Sequence, residues 1–142
     1  MRRLPEEIFL SHSSADRPFT TKLADVLRRH GIPVWYSDTN ILGAQQWHDE
    51  IGAALRRCDW LVLVLSPSSV ASKWVKRELL FSLQQDRFDG RIVPILYQSC
   101  DHAELSWTLA SLQMVDFQND FDKGCAELLR IWGLGYDRQP IS

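Results

Sequence analysis

The run WLVLVL, residues 60–65, constrains this chain more than any other stretch. It is apolar at every position, which is the pattern of a strand covered on both faces. Four further apolar runs are bounded by turn residues: EIFLS (7–11), IPVWYS (32–37), RIVPILY (91–97) and QMVDF (113–117). The segments between them carry a helical period instead. Phe19, Leu23, Val26 and Leu27 share one face of residues 17–30, and Ile51, Ala54, Leu55 and Cys58 share one face of 47–58. Phe121, Cys125, Leu128, Leu129 and Trp132 form a full apolar stripe in 121–134. Strands that alternate with helices, one strand fully buried, predict a parallel sheet with helices on each side and right-handed connections. The expected architecture is a single doubly wound α/β domain with five strands. Pro94 lacks a ladder donor, so the fourth strand is expected to contain an irregular or edge-like stretch. Residues 98–112 read either as a short helix or as an irregular crossover.

Composition sets limits on function. A chain of 142 residues fits one domain, and a hydrophobic content of 45% is enough for one core. A net charge of −2 gives no reason to propose a nucleic-acid partner. Cys58, Cys100 and Cys125 are odd in number and have no metal-ligand spacing, so they read as reduced thiols used for packing. The start, MRRLPEEIFLSHSS, has neither the apolar length of a signal peptide nor that of a membrane span. No membrane partner is expected, and the expected compartment is the cytoplasm. No Ser–His–Asp set, metal cluster or glycine-rich phosphate loop emerges, so neither a metal nor a bound cofactor is expected.

Ligands of open parallel sheets bind beyond the carboxyl ends of the strands. The segments that follow the first three strands are SHSSAD (11–16), SDTNILGAQQW (37–47) and SPSSVASKW (66–74), and YQSCDH (97–102) follows the fourth. Singly, such residues are caps. Asp16 or Ser14 is expected to cap the helix with Pro18 in its first turn, and Ser72 the helix of SKWVKRELLFSL (72–83). His12 lies in the first of these loops and could line a site, while His30 beside Gly31 reads as a helix C-terminal residue. Six tryptophans divide similarly. Trp35, Trp60 and Trp132 read as core, whereas Trp47 and Trp74 sit at loop-to-helix junctions on the ligand edge. Glu78 has two readings. It is either a solvated helix residue beside Lys73, Lys76 or Arg77, or a carboxylate on the edge of the stripe Val75–Leu79–Leu83, one turn from Trp74. In the second reading it suits a cationic ligand or a cation-like transition state.

Taken together, IFLSHSSAD, VWYSDTNILGAQQW, LVLVLSPSSVASKWVKREL and IVPILY resemble the Toll/interleukin-1 receptor (TIR) domain, its bacterial branch in particular, over roughly residues 6–134. That resemblance implies one TIR-like domain across 1–142, with a short tail at 135–142. It also implies a flavodoxin-like sheet in the order 2-1-3-4-5. Enzymatic members of the family cleave NAD⁺ at the nicotinamide–ribose bond with a glutamate four residues after a tryptophan, here Trp74 and Glu78. By the same resemblance Ser11, Ser14 and Asp38 lie near the nucleotide, and Trp47 and Tyr97 are the candidate stacking aromatics. NAD⁺ is then a substrate, not a cofactor. One carboxylate suffices, because nicotinamide leaves as a neutral molecule and needs no general acid, unlike the leaving group of an ordinary glycoside.

The resemblance implies either ADP-ribose or a cyclic isomer as product, and a role in bacterial anti-phage defence. The alternative is a non-enzymatic module that works by homotypic assembly, with Ile41 and Leu42 at the contact. A receiver-like domain is disfavoured because LSHSSAD lacks an acidic pair directly after the first strand. Homotypic self-assembly is expected in either of the first two cases. A bacterial member usually carries a second domain, for which this length leaves no room, so the chain is expected either to be a domain excised from a longer protein or to work with a separate sensor or effector protein.

Overall fold

The computed structural model describes residues 4–37 and 44–138, the side chains of 44–47 excepted. Among the described residues five strands are present: β1 (Ile8–Ser11), β2 (Val34–Trp35), β3 (Trp60–Leu65), β4 (Ile92–Leu96) and β5 (Val115–Asp116). All neighbouring pairs are parallel, in the order β2-β1-β3-β4-β5. The helices are α1 (Arg17–Arg29), α2 (Ala44–Arg57), α3 (Pro67–Val70), α4 (Lys73–Leu83) and α5 (Phe121–Arg130). The expected doubly wound sheet is therefore present, and WLVLVL is its central strand. The side chains of β3 alternate between two apolar layers. Val62 and Val64 pack with Leu23, Leu27, Leu128 and Leu129 of α1 and α5. Leu61, Leu63 and Leu65 pack with Ile51, Leu55, Val75 and Leu79 of α2 and α4. Period two on β1 has the same effect: Ile8 and Leu10 belong to the first layer and Phe9 to the second. Ser11, two residues beyond Phe9, therefore points toward α4.

β4 lies between β3 and β5 and is not an edge strand, yet Pro94 fits without a lost bond. Successive residues of a parallel strand turn their amide groups to alternate neighbours. The Tyr97 N–H donates to the Leu65 carbonyl at 3.0 Å, and the Leu96 carbonyl accepts from the Phe117 N–H at 2.9 Å. Even-numbered positions thus face β5. That strand pairs only with Ile95 and Leu96. The donor that Pro94 lacks falls just before the β4–β5 ladder begins.

The crossover at 98–112 is the irregular one of the two alternatives. It contains two 3-10 turns, His102–Glu104 and Trp107–Ser111, pinned by Leu105 and Leu109 in the second layer. Residues 66–72, expected as a loop, include the one-turn α3, closed by a reciprocal capping box between Ser66 and Ser69. Trp132 is core, as expected, and Trp60 is half-buried edge-on against it at 5.4 Å. Trp35 is half-buried on Phe9, with ring centroids 5.0 Å apart. Trp107 stands out in solvent, 82% exposed. Burial pushes the thiols of Cys58 and Cys125 up to about 12, as befits packing residues.

Gly124 brings α5 close against Phe117, the residue that follows β5. A Cβ placed there would stand 2.5 Å from Cδ2 of Phe117. That ring is itself held edge-on by Phe19, centroid to centroid 5.6 Å. Gly124→Ala should therefore lower stability by about 1–3 kcal/mol despite its better helix propensity. A urea melt matching wild type would mean that Phe117 can swing aside.

Candidate active site

The chain leaves β1 for β2 on one side of the sheet and returns to β3 on the other. The carboxyl ends of β1 and β3 therefore flank the point where strand order reverses, the usual ligand position in such sheets. Ser11 ends β1, and Ser66 follows β3.

α4 delivers the carboxylate. Ser72 caps the helix, as expected, by accepting from the Val75 N–H at 3.2 Å. The buried residues of α4 are Val75, Glu78, Leu79 and Ser82, spaced i, i+3, i+4 and i+7. The expected stripe Val75–Leu79–Leu83 is off by one position at its end: Leu83 is exposed and Ser82 is buried. Glu78 is thus not on the rim of the stripe but inside it, only 5% exposed. Ser11 Oγ donates to Glu78 Oε1 at 2.7 Å. Among the described residues Glu78 has no ion pair, and the reading as a solvated partner of Lys73, Lys76 or Arg77 does not hold. The Arg77 guanidinium instead lies over the Trp74 ring, 5.1 Å from its centroid. Burial pushes the Glu78 carboxyl up to about 7, and the hydrogen bond from Ser11 works against that rise.

Two pockets meet at this carboxylate. The larger, about 450 Å³, lies between α2 and α4 and is lined by Ile51, Leu55 and Phe81, with His48 and the arginines Arg56 and Arg77. The smaller, about 130 Å³, is polar and is lined by His12, Ser13, Ser14, Arg17, Ser37 and Ser72. Trp74 and Glu78 belong to the walls of both. A ligand with a flat apolar ring at one end and hydroxyl or phosphate groups at the other would cross Glu78 in passing from one pocket to the other.

The loop after β1 is braced from below. Asp16 occupies the N-cap position of α1, but its side chain caps nothing. Asp16 Oδ2 instead accepts from Ser13 Oγ at 3.1 Å and from Ser66 Oγ in a short contact. Neither Asp16 nor Ser14 is therefore the side-chain cap that the sequence suggested. Ser14 opens a 3-10 turn and is exposed.

Of the expected site residues, the structure brings together Ser11, His12, Ser14, Trp74 and Glu78. It does not bring Tyr97 to them. The Tyr97 ring stacks on Phe19 at 4.1 Å, in the layer on the opposite face of the sheet. Asp38, Ile41, Leu42 and the Trp47 side chain lie outside the described residues. Arg17 was missed, because its place at the first position of α1 gives no sign of the pocket beside it. His30 is the α1 C-cap, as expected. Among the described residues no group of three or more His, Cys, Asp or Glu could hold a metal ion, and no helix is long and apolar enough to cross a membrane.

A family model described as TIR domain matches residues 8–129. The chain is 32% identical over 97 residues to the NAD(+) hydrolase PdTIR of Paracoccus denitrificans, which covers 66% of this chain and 32% of that protein. It is 30% identical over 74 residues to the 2' cyclic ADP-D-ribose synthase BtTIR of Bacteroides thetaiotaomicron, covering 51% of this chain and 26% of that one. The chain thus spans about a quarter to a third of the length of these curated relatives. The crystallised TIR domain of the Toll-related receptor TRR-2 from Hydra magnipapillata shares the fold. Its TM-score is 0.71 at 19% identity, over 87% of this chain and 95% of that one. With most of its length matched by the family model, the chain belongs to the TIR domain family.

Proposed function

We propose that this domain cleaves NAD⁺ at the nicotinamide–ribose bond, releasing nicotinamide and either ADP-ribose or a cyclic isomer. The observation that carries the reading is Glu78, a carboxylate buried at the meeting of an apolar and a polar pocket. In this reading the nicotinamide ring enters the apolar cleft against Trp74. The ribose lies at Glu78, and the diphosphate side faces Arg17 and the serines of the polar pocket. The bond breaks toward an oxocarbenium-like transition state, whose positive charge Glu78 stabilises in a water-poor setting. Ser11 holds the carboxylate in place. The names of the curated relatives, an NAD(+) hydrolase and a cyclic ADP-ribose synthase, favour the same reaction.

Homotypic assembly is part of the proposal. Tyr97 lies on the far face of the sheet, stacked on Phe19, and takes no part in the proposed site. A role in anti-phage defence, action in the cytoplasm and a separate sensor or effector rest on the family resemblance alone.

The test is NAD⁺ consumption at high protein concentration, with and without a crowding agent, resolved by chromatography. Glu78→Gln is expected to lower the rate by about a hundredfold or more, the scale on which one electrostatic group contributes. Undiminished cleavage by the pure variant would remove Glu78 from the mechanism. If folded wild type stays inactive even when fused to an oligomerising tag, the domain is an assembly module without catalysis.

A further inference from the structure

His12 is nearly sealed, 8% exposed, and two contacts hold its ring. Nδ1 lies 3.4 Å from the Leu10 carbonyl oxygen, and the ring meets Tyr36 edge-on with centroids 5.8 Å apart. A carbonyl only accepts. In the neutral imidazole, Nδ1 therefore carries the proton and Nε2 presents a lone pair. Among the described residues that buried Nε2 has no hydrogen-bond partner. Buried polar atoms are rarely left so, and His12 lines the polar pocket, where a ligand can supply the missing partner. The pocket is small. At about 130 Å³, with Glu78 on its wall, it has room for only a few water molecules. A hydroxyl brought up to a sugar carbon beside Glu78 is then also within reach of His12.

We propose that His12 Nε2 takes the proton of the hydroxyl that attacks the ribose C1′ after nicotinamide departs. The inference rests on the NAD⁺-cleaving reading and deepens it. In the first step the C1′–N1 bond breaks, its electron pair goes to the pyridinium nitrogen, and neutral nicotinamide leaves. In the second, a lone pair of the hydroxyl oxygen forms the C1′–O bond, and the hydroxyl proton passes to Nε2. One positive charge is conserved throughout, from pyridinium to oxocarbenium to imidazolium, and the imidazolium returns its proton to water. The hydroxyl belongs to water in hydrolysis and to the substrate itself in formation of a ribose-linked ring. A proton taken up early by Glu78 would discharge the group that stabilises the cation, so an acceptor beside it lets the carboxylate stay charged until the C1′–O bond is made. Among the described residues, the charged groups around His12 are Glu78 on α4, Arg17 on α1 and Asp16 between β1 and α1. Burial lowers the His12 pKa from its ordinary value. The Leu10 carbonyl opposes that shift, Arg17 adds to it and Asp16 opposes it, so the ring waits in the neutral form that a base requires.

The experiment separates nucleophiles that carry a proton from one that does not. 3-Acetylpyridine attacks C1′ through its ring nitrogen, exchanging with nicotinamide, and has no proton to give up. For His12→Gln and His12→Phe, both checked for wild-type melting, hydrolysis and cyclisation should fall by about a hundredfold or more while base exchange changes less than about threefold. Full hydrolysis by either folded variant overturns the proposal, as does an equal loss of hydrolysis and exchange. A wild-type protein that releases no nicotinamide by either route overturns the NAD⁺ reading itself.

Discussion

Glu78→Gln should make the folded protein more stable above pH 7 while removing the proposed NAD⁺ cleavage. The carboxyl of Glu78 ionises near 4.5 in an unfolded chain and is pushed up to about 7 in the fold, chiefly by burial. Between those values the folded protein holds a proton that the unfolded chain has released. Stability therefore falls as pH rises from about 4.5 to about 7, and is flat above that range. The displacement corresponds to about 3 kcal/mol. Glutamine keeps the acceptor oxygen that takes the Ser11 hydrogen bond, 2.7 Å in the wild type, and has no charge to desolvate. The stability gap between variant and wild type should then widen by about 3 kcal/mol between pH 4.5 and pH 8. Urea denaturation across that range measures it. Parallel stability curves would mean that Glu78 ionises without hindrance in the fold. The price of the proposed chemistry is thus a carboxylate that the fold would prefer to protonate.

The same residue marks the limit of what the sequence displays. WLVLVL announces a central strand because its burial on both faces is written in every position, and two layers of core follow from it. The face of Ser11 is legible as well, since β1 alternates and Ser11 shares parity with Phe9. The burial of Glu78 is not legible from hydrophobicity. The stripe of α4 is Val75–Glu78–Leu79–Ser82, half of it polar, and an apolar pattern search slides to Leu83, which is exposed. The spacing from Trp74 offers Glu78 as a site residue in one of two readings, and only the resemblance to a family decides between them. Asp16 misled in the opposite way. An acid just before Pro18 reads as a cap by local rules, and the bonds that turn it inward reach Ser13 nearby and Ser66, distant in sequence. Local pattern names the element to which a residue belongs. It does not say what a residue from another strand offers its side chain. Tyr97 shows the same limit, since its place after β4 puts it on the ligand edge while the stack on Phe19 takes its ring to the other layer.

Asp16→Ala should cost about 2–4 kcal/mol, because it strips a buried carboxylate from two hydroxyl donors that have arranged themselves around it. Asp16 is 5% exposed and Ser66 is fully buried. Ser66 Oγ accepts from the Ser69 N–H at 3.1 Å and gives its own proton to Asp16, so the alanine leaves that proton without an acceptor. Ser66→Ala breaks the same bond from the other side and also removes the cap of α3. The two losses share an interaction, so the double variant should fall short of their sum by about 1 kcal/mol or more. Additive losses would show that Asp16 and Ser66 act apart. The bond ties the loop after β1 to the loop after β3, and these two loops carry His12, Ser13 and Ser72 to the polar pocket. A folded Asp16→Ala protein, measured well below its melting temperature, should therefore also lose the proposed NAD⁺ cleavage. Ser66→Ala should lose it in proportion, because positioning near the reacting bond is steep in distance. If cleavage survives while stability falls, the tie serves the fold alone, and the pocket is held by the capping of α4 at Ser72 instead.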